Sequence, residues 1–171
     1  MAQRPTKAKS KRSALPLVSI IMGSKSDHDI MRHAAETLKK LRIPPHVSIH
    51  SAHRTPDRLA AHVRDMEGNG VKVVIAGAGM AAALPGAIAA LTPLPVLGVP
   101  MEGRVMGGLD AILSMVQMPA GIPVGTLAVG RAGAINSALL AAAILALSDD
   151  KITAALAKFR ADQTKAVPET P

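Results

Sequence analysis

Leu17-Val-Ser-Ile-Ile-Met-Gly-Ser-Lys-Ser-Asp27 is the stretch from which the fold is read. Its first six residues are a short apolar run rich in β-branched side chains, the pattern of a strand buried on both faces, and Gly23 ends it. Ser24-Lys-Ser-Asp27 then leads into a segment of helical period, Ile30 to Leu41. The order is strand, phosphate-sized loop, helix, and it recurs downstream. Val47 to Ile49 passes through Ser51-Ala-His-Arg54 to a helix start at Thr55-Pro56-Asp57, with Thr55 as N-cap and Pro56 at the first helical position. That helix runs to about Glu67, where Gly68-Asn69-Gly70 stops it. Val71 to Ala76 is a third strand, followed by Gly77-Ala78-Gly79 and an alanine-rich helix over Ala81 to Leu91. Val96 to Val99 is a fourth strand. After a mixed segment, Gly107 to Val116, come a fifth strand, Val124 to Val129, and an apolar helix, Ala134 to Leu147. Strands alternating with helices predict an α/β fold with a parallel five-stranded sheet covered on both faces.

A chain of 171 residues has room for one such domain. It divides into a basic tail over residues 1–14, an α/β domain over 15–148, and a C-terminal amphipathic helix with a frayed end over 149–171. Phe159 is the one aromatic residue, so the core has to be built from Val, Ile, Leu, Met and Ala at short packing distances. The net charge of +8 is concentrated in Arg4, Lys7, Lys9, Lys11 and Arg12, without which it is about +3. That segment has no apolar periodicity and reads as a disordered solubilising tail, with a targeting peptide or a nucleic-acid arm as the competing readings. The body lacks both a basic stripe and the aromatic platforms that stack bases, which argues against nucleic acid as the main partner. No cysteine is present, so disulfides, thiolate nucleophiles and thiolate-held metals are excluded. Val73 to Met101 is uncharged, but glycines and prolines interrupt it, and a buried strand-helix-strand unit explains it better than a membrane span. The expected compartment is the cytoplasm. The helix Ala134 to Leu147 is apolar nearly all round, which predicts burial between subunits of a homo-oligomer; enclosure within one domain is the other possibility.

In open α/β sheets, ligands sit beyond the carboxyl ends of the strands. The first such loop offers Ser24 and Ser26, a glycine-permitted turn and the next helix's N–H groups, which suit a phosphate monoester. Asp27 can cap that helix or accept from ribose hydroxyls. The second offers Arg54, a fork for phosphate or carboxylate, and His53, suited to proton transfer near neutral pH or to a plain capping or surface role. In the third, Gly77-Ala78-Gly79 permits close backbone approach, with Met80 and Leu84 as apolar walls. Pro100 to Gly103 and Gln117 to Pro119 are further candidates for the pocket, or simple turns. The placement of His46, His50 and His53 argues against a metal site, because strand alternation puts His46 and His50 on one face while His53 sits in the loop, and no paired carboxylates lie nearby. There is no Walker A loop and no dinucleotide fingerprint, which argues against ATP or NAD.

Several motifs stand in one order: MGSKSD at Met22 to Asp27, SAHRTPD at Ser51 to Asp57, IAGAG at Ile75 to Gly79, LPG at Leu84 to Gly86, PVLGVP at Pro95 to Pro100, and VQMPAGIPVGTLAVG at Val116 to Gly130. Together they resemble the catalytic subunit family of phosphoribosylaminoimidazole carboxylase, in its N5-carboxyaminoimidazole ribonucleotide mutase branch, over about Leu17 to Leu147. The resemblance implies a flavodoxin-like three-layer α/β/α sandwich, an octamer, and a role in de novo purine biosynthesis without metal, ATP or organic cofactor. It implies His53 as the acid-base residue, Ser24, Ser26 and Arg54 around phosphate with Ser51 beside them, Asp27 on the ribose, and Gly77, Ala78 and Gly79, with Leu84, around the carboxylate and CO2. SAHRTP is similar to the mutase branch, whereas direct carboxylases of aminoimidazole ribonucleotide tend to carry Lys-Gly-Pro after the histidine. Many relatives read GAGGAAHLPG where this chain has Met80 and Ala83, and Glu102 to Gly108 also departs from the family pattern. A nucleotide-phosphate binding module without turnover and a carboxylating enzyme for a pyridine nucleotide are the remaining alternatives.

Overall fold

The computed structural model describes residues 16–104 and 106–170, so the basic tail read over residues 1–14 lies outside the described residues. Five strands form one parallel sheet: β1 Val18–Met22, β2 His46–Ile49, β3 Val73–Ala78, β4 Val96–Pro100 and β5 Gly125–Thr126. Their spatial order is β2-β1-β3-β4-β5, the flavodoxin-like arrangement. Six helices cover it: α1 His28–Lys40, α2 Pro56–Gly68, α3 Leu84–Ala89, α4 Leu109–Val116, α5 Gly130–Ala146 and α6 Asp150–Ala166.

The strand sequences explain their places. β1, β3 and β4 are buried at every position, as continuous apolar runs must be in a sheet covered on both sides. Alternate residues feed two cores. Val18, Ile20, Met22, Val73, Ile75, Leu97 and Val99 meet α1, α5 and α6, while Ile21, Val74, Ala76 and Val96 meet Leu59 and Val63 of α2, Ile88 of α3 and Met115 of α4. β2 alternates instead, leaving Val47 and Ile49 exposed, and so takes the sheet edge.

Three expectations shift. The third strand starts at Val73 and continues through Gly77 and Ala78, because its pairing with β1 begins at Val18–Val73 and reaches Met22–Gly77. The third helix shortens to Leu84–Ala89: Met80 has a left-handed backbone (φ 59°), and Ala82 N–H bonds back to the Met80 carbonyl at 2.8 Å, so the chain bends before Pro85 restarts it. The fifth strand keeps only Gly125–Thr126, since it pairs with β4 alone at the other edge and leaves after Leu127 N–H bonds the Gly98 carbonyl.

α5 buries Gly133, Ala134, Ser137, Ala138, Ala141 and Ala142 against its own sheet and α1. These small side chains permit close approach, and a Cβ on Gly133 would overlap the Ala128 carbonyl. α6 folds back onto the same domain, with Ile152 buried and Phe159 packed on the core. Leu140 and Leu147 remain exposed on the outer side of α5. Among the described residues, no helix is long and apolar enough to cross a membrane.

Candidate functional site

The order β2-β1-β3 means that the connections leaving β1 and β3 diverge to opposite faces of the sheet, which opens a crevice at their carboxyl ends. An open cleft of about 770 Å³ lies there. It is lined by the loops after β1, β2, β3 and β4 and by the start of α4.

The first loop is held by its own polar groups. Ser24 N–H donates to Asp27 Oδ2 at 2.9 Å, while Ser24 Oγ accepts from Ser26 N–H at 3.3 Å, making a reciprocal capping box. Ser26 Oγ donates to Ser24 Oγ at 2.9 Å. Two hydroxyls therefore sit side by side above the N-terminal turn that enters α1. Burial pushes the Asp27 carboxyl above its ordinary range, opposed by the Ser24 N–H, the Ser26 hydroxyl, the Gly23 N–H and the Arg54 guanidinium.

The second loop is braced from within. Thr55 takes the N-cap position of α2, but its hydroxyl does not cap the helix. It donates to the Ser51 carbonyl and accepts from Ser51 N–H, both at 3.0 Å, closing the loop that carries His53. Ser51 Oγ accepts from Arg54 N–H at 3.2 Å and from Arg54 Nε at 3.3 Å. Arg54 Nη2 then crosses to donate to the Gly23 carbonyl at 3.1 Å. His53 is exposed on the same cleft.

Ser24, Ser26, Asp27, Ser51, His53, Arg54, Ala78, Gly79 and Leu84 all line this cleft, as does Met80. Gly77 does not. It lies inside β3, accepts from Gly23 N–H at 3.1 Å, and a Cβ there would stand 2.5 Å from Met31 Sδ and 2.8 Å from Met101 Cε. Its missing side chain makes room for two methionines behind the cleft floor. Gln117 to Pro119 do not line the cleft, whereas Met101, Glu102 and Gly103 do. Arg104 and Asp110 also line it and were not singled out from the sequence; the charged loop after the fourth strand was the available signal for the first of them. Asp110 Oδ1 accepts from Ala111 N–H at 2.9 Å in the first turn of α4. Among the described residues no group of three His, Asp or Glu side chains is arranged to hold a metal ion. The cleft can bind an anion at hydroxyls and a guanidinium, and it presents the exposed His53 imidazole beside them.

Comparison with known proteins identifies the family. The chain is 59% identical over 154 residues to the N5-carboxyaminoimidazole ribonucleotide mutase of Brucella melitensis, covering 90% of this chain and 95% of that one. It is 53% identical over 162 residues to the protein of the same name from Escherichia coli K12, covering 95% and 96%. Among solved structures, PurE of Treponema denticola superposes with a TM-score of 0.81 at 30% identity, over 88% of this chain and 92% of that one. The family model described as AIR carboxylase matches residues 17–166, and the chain belongs to that family.

Proposed function

We propose that this chain converts N5-carboxyaminoimidazole ribonucleotide to 4-carboxyaminoimidazole ribonucleotide, an isomerase step of de novo purine biosynthesis. The observation that carries the reading is the meeting of the Ser24–Ser26 hydroxyl pair, Arg54 and His53 in one cleft, in a chain whose relatives bear that name. Ser24, Ser26 and Arg54 hold the phosphate, with Ser51 fixing the Arg54 fork. Asp27 accepts from the ribose. The backbone of Ala78 and Gly79, with Leu84 as an apolar wall, encloses the reacting carboxylate.

The chemistry is a balanced proton relay. Protonated His53 gives its proton to N5 as the N5–carbamate bond breaks and CO2 is released. C4 of the aminoimidazole attacks that CO2, forming a carbon–carbon bond. Neutral His53 then takes the C4 proton and the imidazole regains aromaticity, so the histidine ends protonated, as it began. No redox step or external reactant enters. CO2 must stay beside C4 between the two halves, so confinement and orientation supply most of the rate.

The assembly is a homo-oligomer, an octamer by the family resemblance, working in the cytoplasm. Leu109, Leu113 and Val116 support self-association: they recur on one side of α4, all exposed, an apolar stripe that a second copy would cover.

The deciding assay supplies N5-carboxyaminoimidazole ribonucleotide without ATP and follows the C4-carboxylated product, then repeats with aminoimidazole ribonucleotide and bicarbonate. Turnover in the first is expected. Turnover in the second alone makes the chain a direct carboxylase, and turnover in neither ends the enzyme reading.

A further inference from the structure

The cleft has a second guanidinium. Arg104, on the loop between β4 and α4, lines the same cavity as Arg54 and is exposed. The two differ in what occupies them. Arg54 spends Nε and Nη2 on Ser51 and Gly23, whereas Arg104 has no ion pair or side-chain hydrogen bond among the described residues. Two carboxylates share its side of the cleft, yet each is directed elsewhere. Asp110 accepts from the first turn of α4. Glu102 lies against the start of α5, where a Cβ on Gly130 would stand 2.7 Å from its Oε1. Among the described residues neither acid forms an ion pair with Arg104.

Topology sets the separation. β1 and β3 stand between β2 and β4, so the loops carrying Arg54 and Arg104 are three strand spacings apart, about 14 Å at the usual interstrand distance. Arg54 reaches back from its loop to the Gly23 carbonyl at the end of β1, and Arg104 enters from the β4 side, so two planar cationic forks meet one cleft from different loops, which suits a ligand with two anionic groups. Alanines at 81–83 line the wall between them and offer no charge.

Resting on the function proposed above, we infer that Arg104 is a specificity-determining residue that engages the carboxylate of the carboxylated nucleotide, while the Arg54 end holds the phosphate. A guanidinium pairs a carboxylate through two parallel N–H···O bonds and gains nothing from an uncarboxylated imidazole. Gly103 precedes Arg104 and Gly107 and Gly108 follow it, the last two at φ 63° and 98°, so the loop takes backbone turns that favour glycine as it brings Arg104 to the cleft.

Isothermal titration calorimetry on the full chain tests this with two probes, 4-carboxyaminoimidazole ribonucleotide and aminoimidazole ribonucleotide, which differ by the carboxylate. Arg104→Gln is expected to weaken the carboxylated nucleotide about tenfold or more, the loss typical of a charge-assisted pair, and to leave the other within about twofold. Arg104→Lys, keeping charge without the fork, falls between. A thermal midpoint matching the parent chain establishes that the variants are folded, as expected for an exposed side chain. Equal loss for both nucleotides, or no loss, overturns the role of Arg104 and leaves the proposed function standing. Failure of the unmodified chain to bind either nucleotide removes both.

Discussion

Arg54 Nη2 donates to the Gly23 carbonyl at 3.1 Å, so the loop after β2 is tied to the loop after β1 by a side chain that also lines the cleft. Arg54→Ala removes the anion fork and this tie together. Hydrogen bonds from a charged group are worth about 1.5–3 kcal/mol each, so KM is expected to rise about tenfold to a hundredfold. Global stability should change by less than about 1 kcal/mol, because the side chain is exposed. Arg54→Lys cannot reproduce a fork that spans Ser51 and Gly23, and it should recover less than half of the lost binding free energy. Steady-state kinetics with a urea melt of each variant separates the two effects; a large stability loss with unchanged KM would make Arg54 a structural clamp only.

His53→Asn keeps a polar side chain of similar reach and removes the proton relay. Turnover is expected to fall by about two to four orders of magnitude, the usual weight of a positioned acid-base group, while nucleotide affinity stays within about threefold. The loop should not collapse, since it is closed by Thr55 and Ser51 rather than by the imidazole. Unchanged turnover would take His53 out of the mechanism.

The strand-loop-helix order and most of the cleft were legible because they depend on local signals: apolar runs of strand length, and polar residues directly after each run. Ser24, Ser26, His53 and Arg54 were found that way. Gly77 was misread because a glycine after an apolar run looks like a loop, and only the packed sheet reveals that Met31 and Met101 fill the space its side chain would need. Thr55 was placed correctly as an N-cap position, but its hydroxyl partner is set by the tightness of the preceding loop, which propensity does not encode. Arg104 had a local signal in the charged loop after β4, whereas the position of Asp110 depends on how the chain returns to the cleft at the start of α4, which nothing local in the sequence directs.

Met80 is a methionine where the backbone is left-handed (φ 59°), and its side chain is 75% exposed at the cleft rim. The left-handed region costs an L-residue roughly 1–2 kcal/mol. Glycine relieves that strain at an entropic cost of roughly 0.5–1 kcal/mol, so Met80→Gly is expected to stabilise by about 0.5–1 kcal/mol. For a chain of this size that is a rise of about 1–4 °C in Tm. Met80→Val, β-branched in the same conformation, should lower Tm instead. Calorimetric melts check the pair, and a lower Tm for the glycine variant would mean that the methionine side chain contributes contacts outweighing its strain.

A stack of imidazoles under the second loop predicts acid sensitivity. The His50 and His62 rings lie 4.3 Å apart and nearly parallel, the His46 ring is 5.3 Å from His62, and His62 Nε2 is 3.3 Å from Ser48 Oγ. Burial, then the charges of His62, Arg58 and His46, lower the His50 pKa to about 4. His62 is lowered by burial and His46, with Asp65 opposing. Lowered histidines favour the neutral ring in the folded state. Between pH 6.5 and 4 the unfolded chain therefore binds more protons, and stability falls as pH falls. The contribution is fully present above about pH 6.5 and declines through that window. His50 N–H also bonds the Met22 carbonyl at 3.0 Å, one residue before Ser51, so loosening this stack disturbs the loop that carries His53 and Arg54. Tm is expected to drop between pH 7 and pH 5, with turnover falling alongside it. His50→Gln, which cannot be protonated, should flatten that slope. Ordinary carboxylates titrate mainly below this range, so an equal slope in the variant would assign the acid sensitivity to groups outside the stack.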